Sequence, residues 1–221
     1  MLKTPIKYPR TFHWPTSECV HSDDKRCSTP EFFINKNIII TEKLDGSNTC
    51  LYNGEVFSRS VSAPTNNQWL KMSKKHHAYK TFDNDLMFYG EDIYGVHSIE
   101  YDPLKEDKTF NLFAIRKVDK NIDIFLSWSD VKKTAKELNI PTVPIIYEGQ
   151  FNSINKLTKF LKNELKEKSQ FGNIKEGFVI RNSEQFDSNK FANNVCKYVR
   201  ANHVQTKLHW RVNWKPIILK K

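Results

Sequence analysis

The segment EKLDGSN, from Glu42 to Asn48, contains a group of residues that could do chemistry: a lysine two residues before an Asp-Gly pair. A lysine amine is a nucleophile only when it is neutral, so a catalytic lysine needs neighbouring cations, a metal ion or desolvation to lower its pKa. A carboxylate two residues further on can approach the same phosphate and metal centre, and glycine lets the backbone come close to a nucleotide. This spacing suits covalent nucleotidyl transfer by Lys43, while Asp-Gly is equally typical of an ordinary polar turn.

Charged residues also occur within or beside short apolar runs that are typical of buried strands. They are Arg59, Glu91, Glu176 and Lys197. Charged side chains are seldom fully buried unless they are paired, and this favours a functional role over a core role. Taken singly, Arg59 also fits a surface strand and Glu91 also fits an edge strand.

The elements that must position these residues are mostly strands. The β-branched run at 37–41 predicts a strand directly before the lysine segment, and Asn53-Gly54 between two strand-like runs predicts a hairpin. Further strands are predicted at 86–90, 109–115, 121–126, 145–147, 176–181 and 195–200, and helices at 67–80, at 129–138 with Ser129 as its N-cap, and at 153–168. The pattern predicts an α+β fold in which strands dominate and the helices pack outside.

The composition is that of a folded, basic protein. The 221 residues include 35 Lys plus Arg against 25 Asp plus Glu, a net charge of +10. This excess favours a polyanionic partner such as nucleic acid, or simply a solubilising surface. The 15 Phe, 8 Tyr and 5 Trp supply a core and exclude intrinsic disorder as the main description. The 4 scattered cysteines are predicted to be free thiols.

The length predicts a single domain over residues 1–221, with residues 1–35 as an extended lead-in and residues 201–221 as a basic, aromatic tail. No apolar run approaches the ~18 residues of a membrane span, and the N-terminus has no apolar signal-peptide core. The sequence therefore predicts a soluble, cytoplasmic protein with no membrane partner.

The order of the motifs resembles that of the ATP-dependent RNA ligases of the RNA ligase 2 type, in the covalent nucleotidyltransferase superfamily that also holds DNA ligases and mRNA-capping guanylyltransferases. The matching motifs run in order over residues 42–200 and are Lys43-x-Asp45-Gly46, Ser58-Arg59-Ser60, Tyr89-Gly90-Glu91, Phe110-x-x-Phe113, Glu176-Gly177 and Cys196-Lys197-Tyr198. The resemblance implies a nucleotidyltransferase domain of two antiparallel β-sheets with flanking helices, with the nucleotide bound between the sheets. Because few residues follow Lys197 in this sequence, we expect no OB-fold of the kind that DNA ligases and capping enzymes append.

The resemblance implies a role for each motif. Lys43 would attack the α-phosphate of ATP and form a covalent lysyl-AMP, Lys197 would neutralise that phosphate, and Asp45 would assist strand joining through a metal ion. The nucleotide-binding residues implied are Glu42, Lys43, Arg59, Glu91, Phe113, Glu176 and Lys197. Phe113 is expected to stack on the adenine, with Phe110 as the alternative. Asp45 and Glu176 are the expected ligands of Mg²⁺ or Mn²⁺.

A second set of residues flanks the motifs and is the candidate site for nucleic-acid ends. The set is Arg10, His13, His97, Arg200 and His203. The alternative for His97 and His203 is that they are structural histidines. The last motif of the family usually carries a second lysine, and here Val199 stands at that position, which leaves Arg200 or Lys207 as a substitute.

The function predicted by the resemblance is ATP-dependent joining of a 5′-phosphate to a 3′-hydroxyl, in RNA. The expected partners are RNA ends, including those of a nicked duplex, and enzymes that heal such ends, and the protein is expected to be a monomer. Three alternatives stay open: a minimal DNA-nick ligase, a GTP-using capping guanylyltransferase, and a catalytically inactive nucleic-acid-binding module.

Overall fold

The computed structural model describes residues 4–83, 85–201, 210, 212 and 214–220. The strands in this part of the chain are β1 Phe12–His13, β2 Ile38–Lys43, β3 Ser47–Tyr52, β4 Glu55–Ser58, β5 Leu86–Asp92, β6 Phe110–Asp119, β7 Ile122–Phe125, β8 Ile145–Gly149, β9 Gly177–Asn182, β10 Phe186–Asp187 and β11 Val195–Val199. The α-helices are α1 Lys71–His76, α2 Trp128–Glu137 and α3 Ile154–Glu164. None of the helices described is long and apolar enough to cross a membrane.

The strands form two sheets. One has five strands in the order β1-β11-β9-β2-β8, and the other has six in the order β10-β7-β6-β5-β3-β4. Neighbouring strands are antiparallel except for the parallel pair of β1 and β11. This architecture confirms the predicted α+β class of two largely antiparallel sheets with flanking helices.

Alternation along the strands of the five-stranded sheet divides its side chains between two faces. The outer face packs against α3 through an apolar cluster of Ile38, Ile40, Phe178, Ile180, Cys196, Tyr198, Leu157 and Leu161. The intervening residues of β2, β9 and β11 therefore point towards the other sheet. They include Thr41, Lys43, Val179, Arg181, Val195 and Lys197, and these six line a cavity between the sheets.

The six-stranded sheet also has an outer and an inner apolar face. Its outer face packs against α2 in a cluster that includes Leu51, Phe88, Ile115, Trp128 and Val131. Its inner face contributes Cys50, Tyr52, Met87 and Tyr89 to a cluster that reaches Val195 of the other sheet. The space between the two sheets is thus filled by apolar side chains at one end, and the cavity with its polar side chains lies at the other.

The hairpin predicted at Asn53-Gly54 is confirmed. These two residues join β3 to β4, and both have positive φ angles, 49° and 78°. Two consecutive positive φ values are what a tight two-residue hairpin requires, and Asn-Gly accepts them with least strain. The hairpin places Arg59 directly after β4.

The predicted helices at 67–80 and 129–138 differ in detail from the structure. The first breaks into short 3-10 turns on either side of the six-residue α1, and no side chain caps these pieces. The prediction of Ser129 as an N-cap was wrong. The cap is Ser127, whose hydroxyl accepts a hydrogen bond from the Asp130 amide, and the helix begins at Trp128 because that side chain is buried in the core.

The N-terminal segment is more than a lead-in, because it enters the five-stranded sheet. Phe12 pairs with Cys196 and His13 with Lys197. At the other end of the chain, residues 214–220 run beside residues 94–104 through backbone hydrogen bonds. The amides of Val96, Ile217 and Leu104 donate to the carbonyls of Lys215, Tyr94 and Ile218 respectively. Both termini therefore border elements that carry predicted site residues.

Candidate active site

A cavity of about 380 Å³ lies between the two sheets and collects most of the residues predicted from the motifs. The predicted residues that line it are Arg10, Glu42, Lys43, Arg59, Glu91, His97, Phe113 and Lys197. Asp45, Glu176, His13 and Arg200 are not among its lining residues. His203 and Lys207 lie outside the described residues. The geometry therefore brings the nucleophile candidate Lys43 together with Glu91 and several cations.

Lys43 stands at the end of β2, on the strand face that points into the cavity. Its Nζ donates to both carboxylate oxygens of Glu176, each at 2.6 Å. Burial disfavours the ammonium form, but the Glu176 carboxylate outweighs that effect and, with Glu91, raises the pKa of Lys43 above its ordinary value. Lys43 is therefore held as an ammonium ion, whereas a nucleophilic lysine needs a lowered pKa. Withdrawing the Glu176 charge would lower the pKa of Lys43 and favour the neutral amine.

Two motif glycines are required by close approach of backbone to backbone. A Cβ atom at Gly177 would lie 1.9 Å from the carbonyl oxygen of Tyr198 on β11. A Cβ atom at Gly46 would lie 2.4 Å from the carbonyl oxygen of Asp92. These glycines let β9 pack against β11 and let the turn after Lys43 pack against β5. Sequence reasoning assigned the glycine of the Asp-Gly pair to a nucleotide contact; in the structure Gly46 lines the cavity and also has this packing role.

Glu91 carries a second carboxylate into the cavity from β5. Burial raises its pKa to about 8, and the neighbouring charge of Glu176 adds to the effect while Lys43 opposes it. The raised value keeps Glu91 largely protonated at neutral pH, so it can both donate and accept a hydrogen bond. This is the chemistry needed to bind a hydroxyl group.

Asp45 is engaged by backbone rather than exposed to the cavity. Its Oδ2 accepts hydrogen bonds from the amides of Ser98 and Ile99, both at 2.7 Å. Its own amide donates to Tyr101 Oη at 2.7 Å. The motif carboxylate therefore holds the turn after Lys43 against the segment that follows β5.

The metal-ligating capacity of the site is limited. Within the described ranges, no three His, Cys, Asp or Glu side chains are grouped so that they could hold a metal ion. Mg²⁺ in nucleotide sites usually takes one or two protein carboxylates and completes its shell with water and phosphate oxygens. Glu176 could supply one carboxylate of such a partial ligand set, whereas Asp45 has one oxygen committed to two amides.

Lys197 belongs to a charged group that includes the N-terminal segment. Its Nζ lies 3.4 Å from Asp24 Oδ1, and Asp24 Oδ2 lies 3.1 Å from His13 Nε2. The His13 Nδ1 lies 2.8 Å from Ser17 Oγ. Burial lowers the pKa of Lys197, and burial together with the Lys197 charge lowers the pKa of His13 to about 4. His13 is thus a neutral, buried support for Asp24.

Glu42 borders the cavity, but its carboxylate is engaged elsewhere. Alternation along β2 turns it to the face opposite that of Lys43. It accepts hydrogen bonds from Ser169 Oγ at 2.6 Å and from the Gln170 amide at 3.3 Å. Burial raises the pKa of Glu42, and these two hydrogen bonds oppose the rise. The side chain fixes the loop before β9.

The apolar end of the cavity distinguishes the two candidate phenylalanines. Phe113 lines the cavity and packs edge-on against Tyr8, with ring centroids 5.0 Å apart. Phe110 is fully buried in the outer core, beneath Gly90. Arg181 lies close by and donates to the carbonyl oxygen of Leu126 at 2.9 Å. Of these two phenylalanines, it is therefore Phe113 that can offer a ring to a ligand in the cavity.

The remaining predicted residues differ in their access to the cavity. Arg10 is exposed and pairs with Asp23. Arg59 is also exposed. His97 Nε2 lies 3.3 Å from Ser47 Oγ, at the start of β3. Arg200 donates its amide to the Glu176 carbonyl oxygen at 3.0 Å.

Comparison with known proteins places this geometry in a family. The sequence model of the RNA ligase family matches residues 36–199, which is most of the chain. The chain belongs to the RNA ligase family. The matched range contains Lys43, Glu91 and Lys197, which line the cavity, and Glu176, which pairs with Lys43.

Solved RNA ligases share the fold of this family member at low identity. A mutant of the Naegleria gruberi RNA ligase with ATP and Mn is 20% identical, with a TM-score of 0.55 over 90% of this chain and 61% of that chain. The same ligase with PPi is 20% identical, with a TM-score of 0.55 over 88% and 61%. An archaeal ATP-dependent RNA ligase is 12% identical, with a TM-score of 0.52 over 87% and 48%. The chain thus spans about half to three-fifths of these proteins. No curated protein matches it.

This RNA ligase family member also has cavity residues that sequence reasoning did not find. They include Tyr8, Asp24, Ser47, Trp69, Arg181 and Trp210. Asp24 lies in a segment without periodicity, so no sequence signal marked it, whereas Tyr8 stands in the same short segment as the candidate residues Arg10 and His13. Arg181 did carry a signal, because it is a charged residue at the inner-face position two residues after Val179 on a buried strand. The family match begins at residue 36 and covers none of the N-terminal contributors.

Proposed function

We propose that this chain is an ATP-dependent RNA ligase that joins 5′-phosphate and 3′-hydroxyl ends through a lysyl-AMP intermediate on Lys43. The observation that carries the proposal is the Lys43 amine in the cavity, bound to both oxygens of Glu176 at 2.6 Å. Membership of the RNA ligase family supports the reading of this lysine as the nucleophile. A volume of about 380 Å³ is within the range of small-ligand sites.

In the first step Lys43 Nζ attacks the α-phosphate of ATP, a P–N bond forms, and the P–O bond to pyrophosphate breaks. The lysine must lose a proton first, and Glu176 is the carboxylate within reach of it. Burial raises the pKa of Glu176, which makes it a better proton acceptor. Lys197 approaches the same centre on β11 and stabilises the charge that develops on the phosphate.

The other cavity residues bind and orient the nucleotide. Phe113 stacks on the adenine at the apolar end, and the Glu91 carboxyl hydrogen-bonds the ribose hydroxyls. Arg59 binds a phosphate from the exposed side. A divalent cation, Mg²⁺ or Mn²⁺, neutralises the triphosphate when bound. Glu176 is the residue that would hold it.

The later steps transfer AMP from Lys43 to the 5′-phosphate of an RNA end and release AMP as the 3′-hydroxyl attacks. Within this proposal residues 1–221 act as one nucleotidyltransferase domain, and the protein works as a cytoplasmic monomer. Its substrates are RNA ends, including those of a nick. A kinase or phosphatase activity on RNA ends must supply the 5′-phosphate and the 3′-hydroxyl.

The test is intact mass after incubation with Mg²⁺ and either ATP or GTP. Wild type should gain one AMP with ATP only, and Lys43→Ala should gain nothing. Lys190→Ala is the matched control, because Lys190 is exposed and lies outside the cavity. A GMP adduct would move the function to capping, and no adduct with either nucleotide would leave a binding module. Faster sealing of nicked DNA than of nicked RNA would identify a DNA-nick ligase.

A further inference from the structure

We propose that Trp69, His97 and Trp210 form a second aromatic surface in the cavity, on which the terminal nucleobase of the RNA 5′ end stacks. These three residues are the aromatic platform. The inference rests on the proposed ligase function and adds a substrate-binding subsite to it. It assigns a role to a tail residue, Trp210, that the nucleotidyl-transfer chemistry leaves unexplained.

The three rings of the aromatic platform contact one another and all line the cavity. Trp210 stacks on His97, with ring centroids 3.7 Å apart and planes 22° apart. Trp69 meets Trp210 edge to face, with centroids 5.3 Å apart. Proteins that bind single-stranded RNA use such rings to stack bases without reading their sequence.

Distant parts of the chain build this surface. Trp69 precedes α1, His97 follows β5, and Trp210 comes from the C-terminal segment. Gly95 allows their approach, because a Cβ atom there would lie 2.9 Å from Trp69 Cβ and 3.5 Å from the ring of Trp210. The backbone hydrogen bonds of residues 214–220 to residues 94–104 anchor the segment just beyond Trp210.

The aromatic platform lies apart from the apolar end of the cavity. Phe113 is on β6, and His97 contacts Ser47 on β3. In the six-stranded sheet β5 lies between β6 and β3, and it carries Glu91 into the cavity. One nucleotide has one base, and Phe113 already offers a ring for it. A second aromatic surface across β5 therefore suits the base of the second substrate, the RNA end.

Charge on the same side of the cavity supports an RNA occupant. β4 is the strand next to β3, and Arg59 follows it directly. Its exposed guanidinium lines the cavity on the aromatic platform's side of Glu91. A base-stacking surface beside a cation that can bind phosphate is the usual arrangement in sites for single-stranded nucleic acid.

Trp214 is a matched control that distinguishes base stacking by Trp210 from a purely structural role of the tryptophans. Trp214 belongs to the same aromatic group, with its ring centroid 6.2 Å from those of Trp69 and Tyr94. Unlike Trp210, it does not line the cavity. Removal of either ring disturbs the packing of the C-terminal segment, but only removal of Trp210 takes away stacking surface.

The experiment measures sealing of a pre-adenylated RNA strand at a nick, with either a normal or an abasic nucleotide at the adenylated end. Stacking of one base is worth about 5- to 150-fold in binding. For wild type, kcat/KM should therefore be lower by that factor on the abasic strand than on the normal strand. Trp210→Ala should lose a similar factor on the normal strand and little more on the abasic strand. Trp210→Phe should restore base dependence, Trp210→Leu should not, and Trp214→Ala should keep it.

The proposal would be overturned if the abasic strand lowered kcat/KM by the same factor in wild type and in Trp210→Ala. It would also be overturned if Trp214→Ala sealed the normal and abasic strands equally well. Thermal melting of each variant shows whether the fold is intact, and Trp210→Leu preserves apolar volume if the alanine variant unfolds. Formation of lysyl-AMP from ATP by wild type is measured in parallel. Its absence would refute the ligase function, whereas its presence without base dependence would refute the aromatic platform alone.

Discussion

Gly177→Ala is expected to damage both stability and catalysis, because the backbone of β11 occupies the space of the added methyl group. The new Cβ would lie 1.9 Å from Tyr198 O, 2.9 Å from Tyr198 C and 3.0 Å from Val199 Cα. Real Cβ contacts do not fall below about 3.0 Å, so β9 and β11 must separate by about 1.1 Å. Forced repacking of this kind typically costs about 1–3 kcal/mol.

The separation should also change the active site. Gly177 pairs with Lys43 on one side and with Val199 on the other, and β11 carries Lys197 two residues before Val199. A movement of about 1 Å in a catalytic group can lower the rate about 100-fold. We therefore expect lysyl-AMP to form about two orders of magnitude more slowly in Gly177→Ala. Urea denaturation gives the free energy of unfolding, and time-resolved intact mass gives the adenylation rate.

Gly172→Ala is the matched control for this substitution. A Cβ atom at Gly172 would have its nearest neighbours at 3.7 Å, an ordinary van der Waals distance. Its unfolding free energy should stay within about 0.5 kcal/mol of wild type, with an unchanged adenylation rate. If Gly177→Ala behaves like Gly172→Ala in both assays, the argument from close packing of β9 on β11 is refuted.

Three further predictions follow from the charges and hydrogen bonds of the site. Glu176→Gln should lower the pKa of Lys43, because the carboxylate that favours the ammonium form is gone. The pH dependence of Lys43 modification by an amine-reactive reagent, without nucleotide or metal, measures this pKa. An unchanged or higher pKa would contradict the role given to Glu176. Asp45→Ala leaves the Ser98 and Ile99 amides without their acceptor and should lower the free energy of unfolding by about 1–3 kcal/mol. Asp45→Asn keeps an acceptor oxygen, so urea denaturation should show that it recovers most of this loss. The native pKa of His13 is about 4 and its unfolded value is near 6.5, so the unfolded state binds the extra proton and stability should fall as pH drops from about 6.5 to 4. The His13→Gln variant should show a shallower fall in pH-dependent melting, and a slope equal to that of wild type would argue against a buried neutral histidine.

The sequence by itself determined the elements whose signals are local. The β-branched run before Lys43 predicts β2, and Asn53-Gly54 predicts the β3–β4 hairpin, because turn geometry and alternation are encoded within a few residues. The order of the short motifs also indicated the fold class and the family. Each motif residue is tied to one strand or turn, so their order along the chain carries the topology with it.

Local signals failed where tertiary packing set the outcome. The sequence predicted Ser129 as a helix cap, and in the structure the cap is Ser127, directly before the buried Trp128. The sequence favoured Phe113 and kept Phe110 as the alternative. In the structure, where the register between β5 and β6 shifts, Phe113 lines the cavity and Phe110 does not. The N-terminal segment has no periodicity because its partners, chiefly β11, lie far along the chain.

The tertiary structure alone decided the electrostatics of the site. Lys43 meets Glu176 across 133 residues of sequence, and that carboxylate raises its pKa instead of the lowering that a nucleophile needs. Asp45 is committed to two backbone amides, and Trp210 reaches His97 from the far end of the chain. The types of these residues are written in the sequence. Their charge states and contacts depend on burial and on neighbours that only folding brings within a few ångströms.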